Sequence, residues 1–152
     1  MRISKHVDQR DGSSCELILD ETNKWLHAIW LGYIDPQEAY NGASRFLTAM
    51  QELHCPYLLN DNSQLQGPWF DSVEWLRTVW GPQAQQLGLR CIAHVVQPQD
   101  LSDEATLAPL SFGPELQLQL FDDVVSAQDW LRAQQAAQAP VAAAQPGSAT
   151  AN

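Results

Sequence analysis

Tyr57-Leu58-Leu59-Asn60-Asp61-Asn62-Ser63-Gln64-Leu65-Gln66-Gly67-Pro68-Trp69-Phe70 opens on three large apolar residues and changes character within one position. A short apolar run suits a central strand covered on both faces. Asn, Asp and Ser next satisfy turn amides with their own side chains, so the spacing predicts a strand over Tyr57 to Leu59 that breaks into a polar loop before a helix. The ends of such strands are where α/β sheets hold their working groups. Asn60, Asp61, Asn62, Ser63, Gly67 and Trp69, with Trp75 in the following helix, are therefore the candidate site.

Upstream, Cys15 to Asp20 and Trp25 to Trp30 are separated by the polar turn Glu21-Thr22-Asn23-Lys24, which predicts a β-hairpin. Asp35-Pro36-Gln37-Glu38 then carries a cap, a proline suited to the first helical position and the acid of a capping box. Ala39, Ala43, Phe46, Met50 and Leu53 follow at helical spacing, which buries one face and turns Arg45, Gln51 and Glu52 outward.

Downstream, Asp71-Ser72-Val73-Glu74 repeats the cap-and-acid pattern, and Trp69, Val73, Leu76 and Trp80 form a second apolar stripe. Trp75 is displaced from the line of Trp69 and Trp80 by about 120° around that helix. It either lines a pocket or interface or packs against the segment after Gly81. Gly81-Pro82 predicts a break or kink, with a short turn to Leu87. Leu89 to Val96 reads as an interior strand with His94 its one titratable group. Gln97 to Pro114 reads mostly as loop with a short helix after Ser102, and Leu116, Leu118 and Leu120 alternate with glutamines as in a half-buried edge strand. Ser126 with Asp129 predicts the cap of a last helix, with Ala127, Trp130 and Leu131 inward. Residues 1–137 thus form one domain, and 138–152, without charge or large apolar residues, read as a disordered tail. The element order predicts an α/β fold: a mixed, mostly parallel sheet opened by a β-hairpin, with helices packed on it.

The chain of 152 residues carries 18 acidic against 8 basic residues, a formal charge of -10 that repels nucleic acid and anionic lipid surfaces. No run approaches the roughly 20 apolar residues of a membrane span, and Met1 to His6 lacks the apolar stretch of a secretory signal, so a cytoplasmic protein is expected. Cys15, Cys55 and Cys91 are odd in number and widely spaced, which suits reduced thiols. His54-Cys55 has no second pair at ligand spacing, so neither a metal nor a cofactor is expected.

The hairpin ending Ile29-Trp30-Leu31-Gly32, the capped first helix and the strand end Tyr57-Leu58-Leu59-Asn60-Asp61 resemble the SpoIIAA-like, STAS-related domains found as small stand-alone bacterial proteins. The tryptophan-bearing second helix, Ala93-His94-Val95-Val96 and the closing Leu120-Phe121-Asp122 with Ala127 and Trp130-Leu131 extend that resemblance from about Cys15 to Arg132. It implies a SpoIIAA-like fold. Members include antagonists of anti-sigma factors that bind a kinase partner and are switched by phosphorylation of a serine at the start of the second helix. A related group resembles lipid-carrying CRAL-TRIO domains. Where the antagonists have an Asp-Ser-Ser-Gly type sequence, this chain has Asn60-Asp61-Asn62-Ser63-Gln64, so Ser63 is the one position comparable to the phosphosite.

Asp61, Ser63 and His94 lie near the ends of neighbouring strands, but no Gly-x-Ser-x-Gly elbow accompanies them and nothing in the sequence supplies an oxyanion hole. No enzyme is expected. Two readings of function follow. The first is a non-catalytic, regulatory protein-binding domain whose partner contacts Asn60 to Trp69 and the start of the second helix. The second is a small-molecule or lipid-binding module with an apolar, tryptophan-lined pocket between sheet and helices. Either accommodates a homodimer through the Leu116 to Leu120 edge or Trp75.

Overall fold

Three parallel pairings and two antiparallel ones join six strands in the order β1-β2-β3-β4-β5-β6. The structure, a computed structural model, describes residues 1–98 and 102–138. The expected tail from residue 139 lies outside the described residues. Gln138, which the sequence placed in it, is the last residue of a helix and accepts a hydrogen bond from the Tyr57 hydroxyl.

The strands are β1 (Arg2–Val7), β2 (Ser14–Asp20), β3 (Trp25–Tyr33), β4 (Tyr57–Gln66), β5 (Cys91–Val95) and β6 (Gln117–Phe121). The helices are α1 (Pro36–Leu53), α2 (Gly81–Gln86), α3 (Ser102–Leu107) and α4 (Val124–Gln138), with a π-helical turn over Leu76–Trp80 running directly into α2. The predicted hairpin is β2 and β3, and the crossovers through α1 and beyond make β3 to β6 parallel. β6 is an edge strand, as its alternation predicts. Among the described residues no helix is long and apolar enough to cross a membrane.

Each face of the sheet has its own core. On one side α1 and the Leu76–Trp80 turn bury Phe46, Met50, Leu76 and Trp80 against Leu17, Ala28, Trp30, Leu58 and Ile92. On the other α4 brings Ala127 and Leu131 onto Trp25, Leu59, Cys91, Ala93 and Val95. α1 begins as its sequence dictates: the Glu38 N–H donates to Asp35 Oδ1 at 2.8 Å and the Asp35 N–H donates to Glu38 Oε1 at 3.0 Å.

Several expectations are corrected. β1 was not foreseen, because Arg2 to Val7 carries only Ile3 and Val7 as apolar residues; it is held by pairing with β2, by Ile3 against the core and by Arg2 on Glu16 at 2.6 Å. The polar stretch after Leu59 is no loop. β4 runs on for ten residues, with a bulge where β3 advances from Ile29 to Leu31 while β4 advances from Asp61 to Gln64. Trp69 lies outside any helix, and its φ of 61° is left-handed. Ser72, not Asp71, opens the helical segment by accepting from the Glu74 N–H. Gly81-Pro82 does not break it, because proline fits the first turn of α2 and a Cβ at Gly81 would overlap the Phe112 ring packed there. α4 is capped by Asp123, whose carboxylate accepts from the Ser126 N–H at 2.7 Å, rather than by Ser126.

Candidate functional site

Parallel pairing sets Asn60 opposite His94 and Asp61 opposite Val95, so the polar residues of β4 divide between the two faces. Asn60, Asn62 and His94 face the α1 side, where Asp103 of α3 meets them. All four are buried, Asn62 and Asp103 completely.

Their hydrogen bonds fix one another. The indole N–H of Trp30 can only donate, and it donates to Asn60 Oδ1 at 2.9 Å, which sets the Asn60 amide. The Asn60 NH2 therefore donates to Asn62 Oδ1 at 3.1 Å and to His94 Nδ1 at 3.0 Å. With Nδ1 accepting, the His94 proton sits on Nε2, which donates to Asp103 Oδ2 at 2.9 Å. Asn62 Nδ2 donates to the same oxygen at 3.1 Å and closes the ring. The Gln97 N–H also reaches Asp103, and the Gln97 amide donates to the carbonyls of Leu65 and Gly67. Burial pushes the Asp103 carboxyl up, but the donors from His94, Asn62 and Gln97 outweigh it and hold the group below its ordinary value.

A narrow cavity of about 70 Å³ lies between this face and the helices. Trp30, Trp69 and Trp80 line it with Phe46, Phe70 and Phe112, and Asn60 and His94 are nearly its only polar floor. Gly42 lets α1 approach, since a Cβ there would overlap the Trp30 ring. The Trp69 ring lies 5.2 Å from the His94 ring, and its buried indole N–H has no hydrogen-bond partner among the described residues. A bulky residue at positive φ with an orphan donor on a cavity wall is the kind of local strain that clusters at ligand sites.

At one end the wall is formed by Ser4, Cys15 and Arg45. The sequence turned Arg45 outward; here it is half-buried beside the Cys15 thiol, because the long stem of an arginine folds along apolar surface. Burial pushes that thiol up to about 11 against the pull of Arg45, so Cys15 is protonated at neutral pH.

On the opposite face Asp61 meets His27, whose Nε2 is 3.6 Å from Asp61 Oδ2, and accepts from the Ser63 N–H at 2.9 Å. Burial raises the Asp61 carboxyl, yet His27 and Ser63 together hold it below its usual value. Asp61 and Ser63 are thus separated from His94 by the sheet. Ser63 lies half-buried within β4 rather than at the start of the second helix.

The candidate residues do not form one exposed patch. Asn60, Asp61, Asn62 and Trp69 are buried, Gly67 turns the chain at φ 92°, and Trp75 is half-buried against Tyr40 and Phe70. Asp103 and Arg45 are the residues that sequence reasoning missed. A buried histidine on an apolar strand was the one sign that an acceptor had to exist, without saying where.

No protein-family model matches the chain. No curated protein matches it. Among solved structures it is similar to an uncharacterized protein of the DUF3478 family with a SpoIIAA-like fold from Shewanella loihica PV-4, at 17% identity and a TM-score of 0.48, over 83% of this chain and 98% of that one.

Proposed function

We propose that this protein is a non-catalytic binding module that holds an apolar small molecule between the sheet and the layer of α1 and the Leu76–Trp80 turn. The observation that carries this reading is the aromatic-lined cavity. At roughly 10–15 Å³ per water the space has room for several, but a water needs about two to four polar partners. Asn60 and His94 have their polar atoms committed to each other, to Trp30 and to Asn62 and Asp103. Apart from Ser4 and Arg45 at one end and the Trp69 N–H, the lining is apolar or already hydrogen-bonded, which favours an apolar occupant. A non-catalytic role is supported by His94, both of whose nitrogens are engaged, which leaves no free base at the cavity.

Burial of Asn60, Asp61, Asn62 and Trp69 weighs against the other reading, a partner-contact surface at Asn60 to Trp69, since a partner would have to unpack these four to touch them. The test is native mass spectrometry with organic extraction of the protein isolated from cells, alongside Ala43→Leu, which fills the cavity wall on α1. A small apolar adduct on the native chain that Ala43→Leu loses is the expected result. A bare chain in both, with no shift of tryptophan emission on titration with decanol, refutes it.

A further inference from the structure

Among the described residues Arg45 is the only arginine or lysine on the cavity wall, and no aspartate or glutamate lines it. Four other arginines have carboxylate partners: Arg2 with Glu16, Arg10 with Asp8, Arg77 with Glu74 and Arg132 with Asp129. Arg90 donates to the carbonyls of Gln85 and Leu89. Arg45 reaches no oxygen among the described residues, and its neighbour is the Cys15 thiol. In a chain of net charge -10, a half-buried arginine left without a carboxylate is conspicuous. It stands where the apolar space ends.

The shape narrows the chemistry further. The lining runs from Cys15 and Leu17 on β2, past Ala28, Leu58 and Ile92, to Leu118 on β6. With Ser4 on β1 the lining crosses five interstrand steps, a span of about 24 Å. A space of about 70 Å³ beneath that lining suits a single chain of methylenes better than a fused ring system.

Resting on the reading above that the cavity holds an apolar molecule, we propose that its ligand is a linear aliphatic monocarboxylate, with the carboxylate on Arg45 and the chain beneath Trp30, Phe46 and Trp80. One guanidinium matches one carboxylate through paired N–H donors. No second cation lines the cavity for a phosphate dianion, and Arg45 repels an amine. Beyond Arg45 the wall is apolar apart from the already bonded Asn60 and His94 and the Trp69 N–H, so the charged end stays at the Arg45 end.

The experiment is calorimetric titration of the full chain at neutral pH with decanoate and with decanol, which share a chain and differ in the head group. Decanoate is expected to bind the wild type about 10- to 100-fold more tightly than decanol. Arg45→Met is expected to bring the two to the same affinity, and Arg45→Lys to restore part of the difference. Equal affinities in the wild type overturn the carboxylate assignment while leaving the apolar cavity standing, and this comparison needs no variant to fold. A decanoate preference that survives Arg45→Met overturns Arg45 as the anchor. Binding of neither compound overturns both the anchor and the function proposed above.

Discussion

Asp103→Ala is the substitution for which the structure forecasts the largest loss outside the apolar core. The carboxylate accepts from His94 Nε2, Asn62 Nδ2 and the Gln97 N–H, all buried, and from the Glu104 N–H in the first turn of α3. Alanine leaves three buried donors unpaired, and at about 1–3 kcal/mol for each unsatisfied group, tempered by local relaxation, the cost is about 3–5 kcal/mol. That is a large part of the roughly 5–15 kcal/mol that holds a domain folded. In urea, with a slope of roughly 2 kcal/mol per molar, the midpoint falls by about 2 M. The pH dependence supplies an independent check. A carboxyl held low in the folded state contributes fully above its unfolded value and loses that contribution as pH falls through the lower folded value. The gap between wild type and Asp103→Ala therefore stays constant from neutral pH down to about 4 and closes below it. A midpoint within about 0.3 M of wild type, or a gap that closes nearer neutrality, refutes the hydrogen-bond assignment.

Trp30→Phe and Trp69→Phe remove the same indole N–H from neighbouring rings with different results. The first strips Asn60 Oδ1 of its donor and costs about 1–3 kcal/mol, while the second removes a donor that has no partner and changes stability by less than about 1 kcal/mol; thermal denaturation of both variants compares them. Gly81→Ala gains about 1 kcal/mol of helix propensity but drives a methyl into Phe112, so it lowers the melting temperature, and Phe112→Leu in the same chain restores it. Asp123→Ala removes the cap of α4 and costs about 1 kcal/mol, whereas Ser126→Ala costs less than about 0.5; equal losses in a urea titration would return the cap to Ser126.

Local patterns were enough for much of the fold. The capping box of α1, the hairpin of β2 and β3, the apolar runs of β4 and β5 and the alternation of β6 depend on neighbours in sequence, and all are present. Where the reading went astray, distant contacts overruled local preference. Asn60, Asp61 and Asn62 have the composition of a turn, yet they sit in a strand because distant side chains meet them there: Trp30 and His94 for Asn60, His27 for Asp61 and Asp103 of α3 for Asn62. Arg2 to Val7 carries only Ile3 and Val7 as apolar residues and becomes a strand because β2 offers it an edge.

The amino-acid sequence by itself determined the α/β class and the largely parallel sheet with helices packed on it, because the period of the apolar residues reports which face of each element must leave water. Only the tertiary structure decided what the polar residues do. Asn62 meets Asp103 across 41 positions, and Trp30 meets Asn60 across 30. The same fold assembles a cavity from all six strands' face and places Arg45 at its end. A hydrogen bond needs a specific atom at a specific distance, and periodicity carries no information about which distant residue will supply it.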